Sequence, residues 1–200
     1  MKKIIIIALI ALQLAGIQGF TQNVTEKINE AKASYSAGDL ENTRFALEQA
    51  LQEINQIIAK EILDMLPVEL GGMKSLAAED SFAGGASGYA GVSVHRSYKS
   101  DKSSISLDIL GDSPMISSLN AILSLPSIMA SDPNQKKIKI AGYKALQTKS
   151  VDDQGVVSFS IQMPFDQSLL NIESKGISDE AQLSKILNTI PVADIVAKAK

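Results

Sequence analysis

Between Tyr143 and Gly176 the chain alternates. Val157, Phe159, Ile161 and Met163 take every second place, and Ser158, Ser160 and Gln162 stand between them. That period of two belongs to a half-buried strand. The turn signals Asp152-Asp153-Gln154-Gly155 and Pro164-Phe165-Asp166-Gln167 cut the stretch into three β runs, which predicts an antiparallel meander. Upstream, Val92, Val94 and Tyr98 alternate with Ser93, His95 and Ser97. The chain turns at Asp101-Lys102, and Ile105, Leu107 and Ile109 form a second alternating run. Ile138 and Ile140 mark a third, which enters the meander at Gly142.

Elsewhere the apolar positions recur at helical spacing. Asn23, with Glu26 three places on, reads as a capping box ahead of Val24, Ile28, Ala31 and Tyr35 on one face. Gly38 stops that helix and Asp39 caps the next. In the second helix Leu47, Leu51, Ile54, Ile58, Ile62 and Met65 form a stripe, widened by Ala46, Ala50 and Ile57. The stripe is expected to be buried against the first helix and the sheet; Pro67 ends it. Ser113-Pro114 opens a helix with Ile116, Leu119, Ile122 and Leu123 on its apolar face, and Pro126 breaks it. Ser178 is the expected cap of a last helix, with Asp179 and Glu180 in its first turn and Leu183, Ile186, Leu187 and Ile190 facing inward.

These elements predict an α+β fold: a largely antiparallel β-sheet of about six strands with packed helices, preceded by an N-terminal helical hairpin. The corresponding division is a signal peptide over 1–19, the hairpin over 20–67, a connector over 68–91, and a sheet domain with two helices over 92–200.

The beginning of the chain gives an expected address. Met1-Lys2-Lys3, the apolar run from Ile4 to Leu12 and the small residue Gly19 have the layout of a secretory signal peptide, cut after Gly19 or alternatively Gly16. Removing Lys2 and Lys3 takes the formal charge from -3 to -5, since 19 basic residues become 17 against 22 acids. The sequence contains no cysteine, so an exported form has no disulfide. This combination predicts a periplasmic or secreted bacterial protein with no integral membrane segment after cleavage. Mild acidity and scattered lysines argue against a nucleic-acid partner. The one cluster, Lys136-Lys137-Lys139, reads as the solvated face or edge of a strand.

Two resemblances follow from these residues. Tyr35, Gly38 and Asp39, followed by Ala46 and Ala50-Leu51, resemble the helix-turn-helix of a single tetratricopeptide repeat. No second copy follows, and such repeats need neighbours, so the reading is a lone hairpin. Leu169 to Glu173, then Gly176-Ile177-Ser178-Asp179-Glu180 and a helix with Leu183 and Ile186, resemble the end of the α/β/α sandwich of PsbP-type extrinsic photosystem proteins and their non-photosynthetic relatives. The chain also resembles exported bacterial proteins of unknown function that join a helical hairpin to such a sheet through a Leu-Pro-x-x-Leu-x-Gly pattern. Here the pattern is Leu66-Pro67-Val68-Glu69-Leu70-Gly71-Gly72. Relatives often carry proline before the glycine and tryptophan after it, so Gly71 and Met73 depart from the pattern. The resemblance implies a fold and an accessory role in the envelope, and carries over no catalytic residue.

Candidate chemistry is sparse. His95 is the single histidine, and with no cysteine a Cys/His zinc site is excluded. No nucleophile-elbow Gly-x-Ser-x-Gly occurs. Ser93 and Ser97 lie two residues from His95 on its own strand and are expected not to reach its ring. Ser104 and Ser106 on the next strand are the alternative nucleophiles, subject to register. The Gly84-Gly85, Gly88 and Gly91 segment lacks the Lys-Ser or Lys-Thr of a phosphate loop. Asp152, Asp153 and Gly155 read as a hairpin turn rather than a calcium loop. The expectation is an exported accessory or binding protein, with no catalytic residue, no metal and no cofactor. Its partner is an unknown protein or a small apolar ligand. The alternative is a small-molecule or lipid binder with an apolar pocket between sheet and helices, lined by Leu119, Ile122, Met163 and Phe165. A serine or acid hydrolase stands third.

Overall fold

The computed structural model describes residues 23–85, 91–125 and 132–199, so the expected signal peptide and its cleavage site lie outside the described residues, as do Gly88 and Pro126. The fold is α+β, with five helices and nine strands among the described residues. The chain divides into two compact units, Met1–Ile57 and Ile58–Lys200.

The first unit holds helix α1 (residues 23–36) and most of α2 (Leu40–Met65). Gly38, at φ 77°, turns the chain between them. The Asp39 carboxylate accepts the Asn42 N–H at 3.1 Å, as expected of a cap. That bond and the Asn42 side chain hold its carboxyl below the usual carboxylate range. The Asn23 Nδ2 donates to Glu53 Oε1 at 2.7 Å, tying α1 to α2. The burial bears out only part of the expected stripe, its widening residues Ala46 and Ala50 here and Ile62 in the second unit. Ala31, Ala46 and Ala50 are buried, whereas Leu47, Leu51 and Ile54 are exposed. Small side chains line the buried face, and the larger apolar ones point away from it.

The second unit is built on a single antiparallel sheet. Its strands are β1 (Glu69–Leu70), β2 (Met73–Ser75), β3 (Ser81–Gly84), β4 (Val92–Lys99), β5 (Ser104–Gly111), β6 (Gln135–Ile140), β7 (Tyr143–Val151), β8 (Val157–Phe165) and β9 (Ser168–Lys175). The order is β1-β2-β4-β5-β9-β8-β7-β6, with β3 also paired to β4. Nine strands correct the expectation of about six. The additional three, β1 to β3, come from 69–84, where two to four residues each are too short to display a period. β6 ends the order, so Lys136, Lys137 and Lys139 lie on an edge strand. The β6–β7 turn has Ala141 at φ 48° and Gly142 at φ 88°, the two left-handed residues of a type I′ hairpin.

One face of the sheet is the core. Val94, Tyr98, Leu107, Ile109, Phe159, Ile161, Met163, Leu170 and Ile172 cluster there with Ala59, Ile62 and Leu66 from the end of α2. Leu183 and Leu187 of α4 (Glu180–Leu187) and Ile195 of α5 (Val192–Lys198) complete it. Lys198 pairs with Glu61. The cap of α4 is Asp179, which accepts the Ala181 N–H at 2.8 Å, one residue beyond the expected Ser178. Gly176 has φ 81°, and a Cβ there would lie 2.2 Å from the Lys102 carbonyl oxygen, so β9 ends against the β4–β5 turn where only glycine fits.

Arg96 is the exception on the core face. Its guanidinium holds Asp80 through Nε and Nη2 at 3.0 and 2.6 Å, and Nη1 donates to the Leu66 carbonyl at 2.7 Å. The bond to Asp80 raises the Arg96 pKa. The charge thereby caps the C-terminal end of α2.

Candidate functional site

Among the described residues of the second unit, the other face of the sheet is roofed at one end. Helix α3 (Ile116–Ser124) places Leu119 and Leu123, with Ile122, over Leu146 and Leu169. Beyond this apolar patch the alternation of each strand puts polar side chains outward, and the register aligns them in rungs. His95, Asp108, Asn171 and Gln162 stand side by side across β4, β5, β9 and β8. The next rung is Ser97, Ser106, Glu173 and Ser160, and the one after it Lys99, Ser104, Lys175 and Ser158.

An open groove of about 430 Å³ runs along the last two rungs. Ser97, Lys99, Ser104, Ser106, Ser158, Glu173 and Lys175 line it, together with Leu76 and Glu79. Glu173 accepts from Ser160 Oγ at 2.7 Å and from Asn171 Nδ2 at 3.4 Å, while Asn171 Oδ1 is buried without a partner. Lys175 lies 3.6 Å from Asp152. Asp152 itself accepts the Gln154 and Val156 N–H groups at 3.0 and 2.9 Å in the β7–β8 turn, bonds that hold its carboxyl below the usual range.

At the edge of the groove three side chains form a hydrogen-bonded chain. His95 Nδ1 is 2.6 Å from Asp108 Oδ1, and His95 Nε2 is 3.0 Å from Ser97 Oγ. A carboxylate only accepts, so in the neutral ring the proton sits on Nδ1, which leaves Nε2 to accept from the Ser97 hydroxyl. His95 and Asp108 are each about one-third exposed at the side chain. This corrects the expectation that neither same-strand serine reaches the ring. The imidazole leans along the strand and closes the two-residue gap to Ser97. Asp108, which the sequence did not single out as a partner of His95, comes opposite it because the β4–β5 turn pairs Lys99 with Ser104.

The four residues expected to line an apolar pocket do not come together. Leu119 and Ile122 belong to the α3 patch, while Met163 and Phe165 belong to the core on the opposite face. Met163 is fully buried and Phe165 nearly so. Next to α3 lies an open depression of about 350 Å³, lined by Asn120, Leu123, Tyr143, Lys144 and Pro164 among others, a set that contains none of those four. Compared with protein-family models and with curated proteins, the chain matches none. No helix among the described residues is long and apolar enough to cross a membrane.

Proposed function

We propose that the protein is an exported accessory or binding protein of the bacterial envelope, with its ligand site in the groove on the polar sheet face. The observation that carries this reading is the set of open rungs, in which serine hydroxyls, the two carboxylates of Glu79 and Glu173 and the two lysines Lys99 and Lys175 line one concavity. A volume of about 430 Å³ is in the range of small-molecule sites. Serine hydroxyls both donate and accept, and Lys99 has no ion pair among the described residues. The ligand is accordingly a small polar molecule carrying a negative group. A lipid or other apolar ligand is disfavoured, because Met163 and Phe165 are closed in the core. Export is supported by Lys2-Lys3, the apolar run and Gly19, and the PsbP-type resemblance implies the same accessory role.

Native mass spectrometry of protein purified from an envelope fraction tests both parts. The expected result is a chain beginning at Phe20 that carries a small polar adduct, with the adduct lost in Lys99→Glu. An uncleaved chain rejects export, and an adduct retained in Lys99→Glu rejects the groove as its site.

A further inference from the structure

We infer that Ser97 is a nucleophile that takes an acyl group from small anionic esters, with His95 as its general base and Asp108 as the residue that positions the base. The inference rests on the groove being the ligand site. Three observations carry it. The contacts of 2.6 and 3.0 Å put Asp108, His95 and Ser97 in the order and tautomer that serine activation needs. Ser97 also lines the groove, beside any molecule bound there. Finally, Lys99 lies two residues further along the same face, about 7 Å away at the backbone, where its long stem brings a positive charge to the groove.

The chemistry closes on these groups. Ser97 Oγ attacks the acyl carbon as its proton passes to His95 Nε2. The bond from the acyl carbon to the ester oxygen breaks, and the leaving alcohol takes the proton from Nε2. Water, giving its proton to the same nitrogen, then attacks the acyl-serine; the acid leaves and the hydroxyl is restored. Asp108 remains ionised and stabilises the imidazolium. The N–H groups of β5 in this region face β4 and β9 and belong to the strand ladder. Charge stabilisation falls to Lys99, and the reaction is confined to esters with good leaving groups rather than amides.

The test uses the full chain and a fluorophosphonate probe, with the adduct located by peptide mass mapping. The expected result is a single adduct on Ser97, absent in Ser97→Ala. Asp108→Asn should lower the maximal labelling rate at least tenfold with the half-saturating probe concentration unchanged. The amide would donate to Nδ1 and leave Nε2 protonated, unable to accept from Ser97. His95→Gln should label as slowly, whereas Ser93→Ala, on the far side of the ring, should label like the parent. Melting curves establish that each variant is folded. Labelling elsewhere, or labelling of Ser97 that is indifferent to His95 and Asp108 in folded variants, overturns the inference. Absence of labelling while the native adduct persists overturns the acyl transfer alone and leaves the binding site standing.

Discussion

The Tyr98 hydroxyl donates to the Pro67 carbonyl oxygen at 2.8 Å, joining the fourth core-face position of β4 to the end of α2 across 31 residues of chain. Tyr98 is fully buried. Burial pushes its phenol up to about 12 from the ordinary 10.0, against the pull of Arg96. A raised folded-state value means that the contribution to stability is complete below pH 10 and is lost as the pH rises toward 12.

Alkaline unfolding should reveal that residue. The loss between those limits is about 2–3 kcal/mol. Urea titrations across this range should show Tyr98→Phe starting lower, by about 1 kcal/mol for the lost hydrogen bond, but declining less steeply than the parent. Parallel decline in the two proteins would remove Tyr98 as the cause.

Arg96 and Asp80 should be strongly coupled. Both side chains are nearly buried, at 11% and 13% exposure. Removing one leaves the other charge without its partner, so Asp80→Ala should cost about 3–5 kcal/mol. Arg96→Met should cost a similar amount and also free the Leu66 carbonyl. The double variant should lose clearly less than the sum of the two, a difference that denaturant melts measure directly. Additive losses would mean that the pair contributes little as a pair.

The first unit offers a contrast between neighbours. Leu51 is 54% exposed and Ala50 is 4% exposed. Leu51→Asp should leave stability within about 0.5 kcal/mol, whereas Ala50→Asp buries an unpaired carboxylate and should cost about 3 kcal/mol or more. Thermal melts followed by helical circular dichroism compare them. A large loss in Leu51→Asp would mean that the expected stripe is covered after all.

Much of the architecture was legible because a period of two survives in long strands. The alternation of Val157, Phe159, Ile161 and Met163 named the core face of β8, and Val92, Val94 and Tyr98 did the same for β4. Asp39 and Gly38 announced the turn between the two helices through their own chemistry. The three strands at 69–84 were not legible, since they are held by pairing with distant residues, as Phe82 is with Val94.

The sequence by itself also determined that the outward face would be rich in serine and carry the single histidine, because alternation assigns a side and composition fills it. Only the tertiary structure decided what that histidine meets. In the β4–β5 turn the Ser100 N–H donates to the Ser103 carbonyl at 2.9 Å and the two hydroxyls lie 3.0 Å apart, which pairs Lys99 with Ser104 and so His95 with Asp108. A slip of one residue would have set an apolar side chain of the opposite face beside the ring. The helical stripe failed at Leu47, Leu51 and Ile54 for a related reason. Spacing finds which residues share a face, but which face is covered depends on what packs there, and between α1 and α2 it is the alanines that are covered.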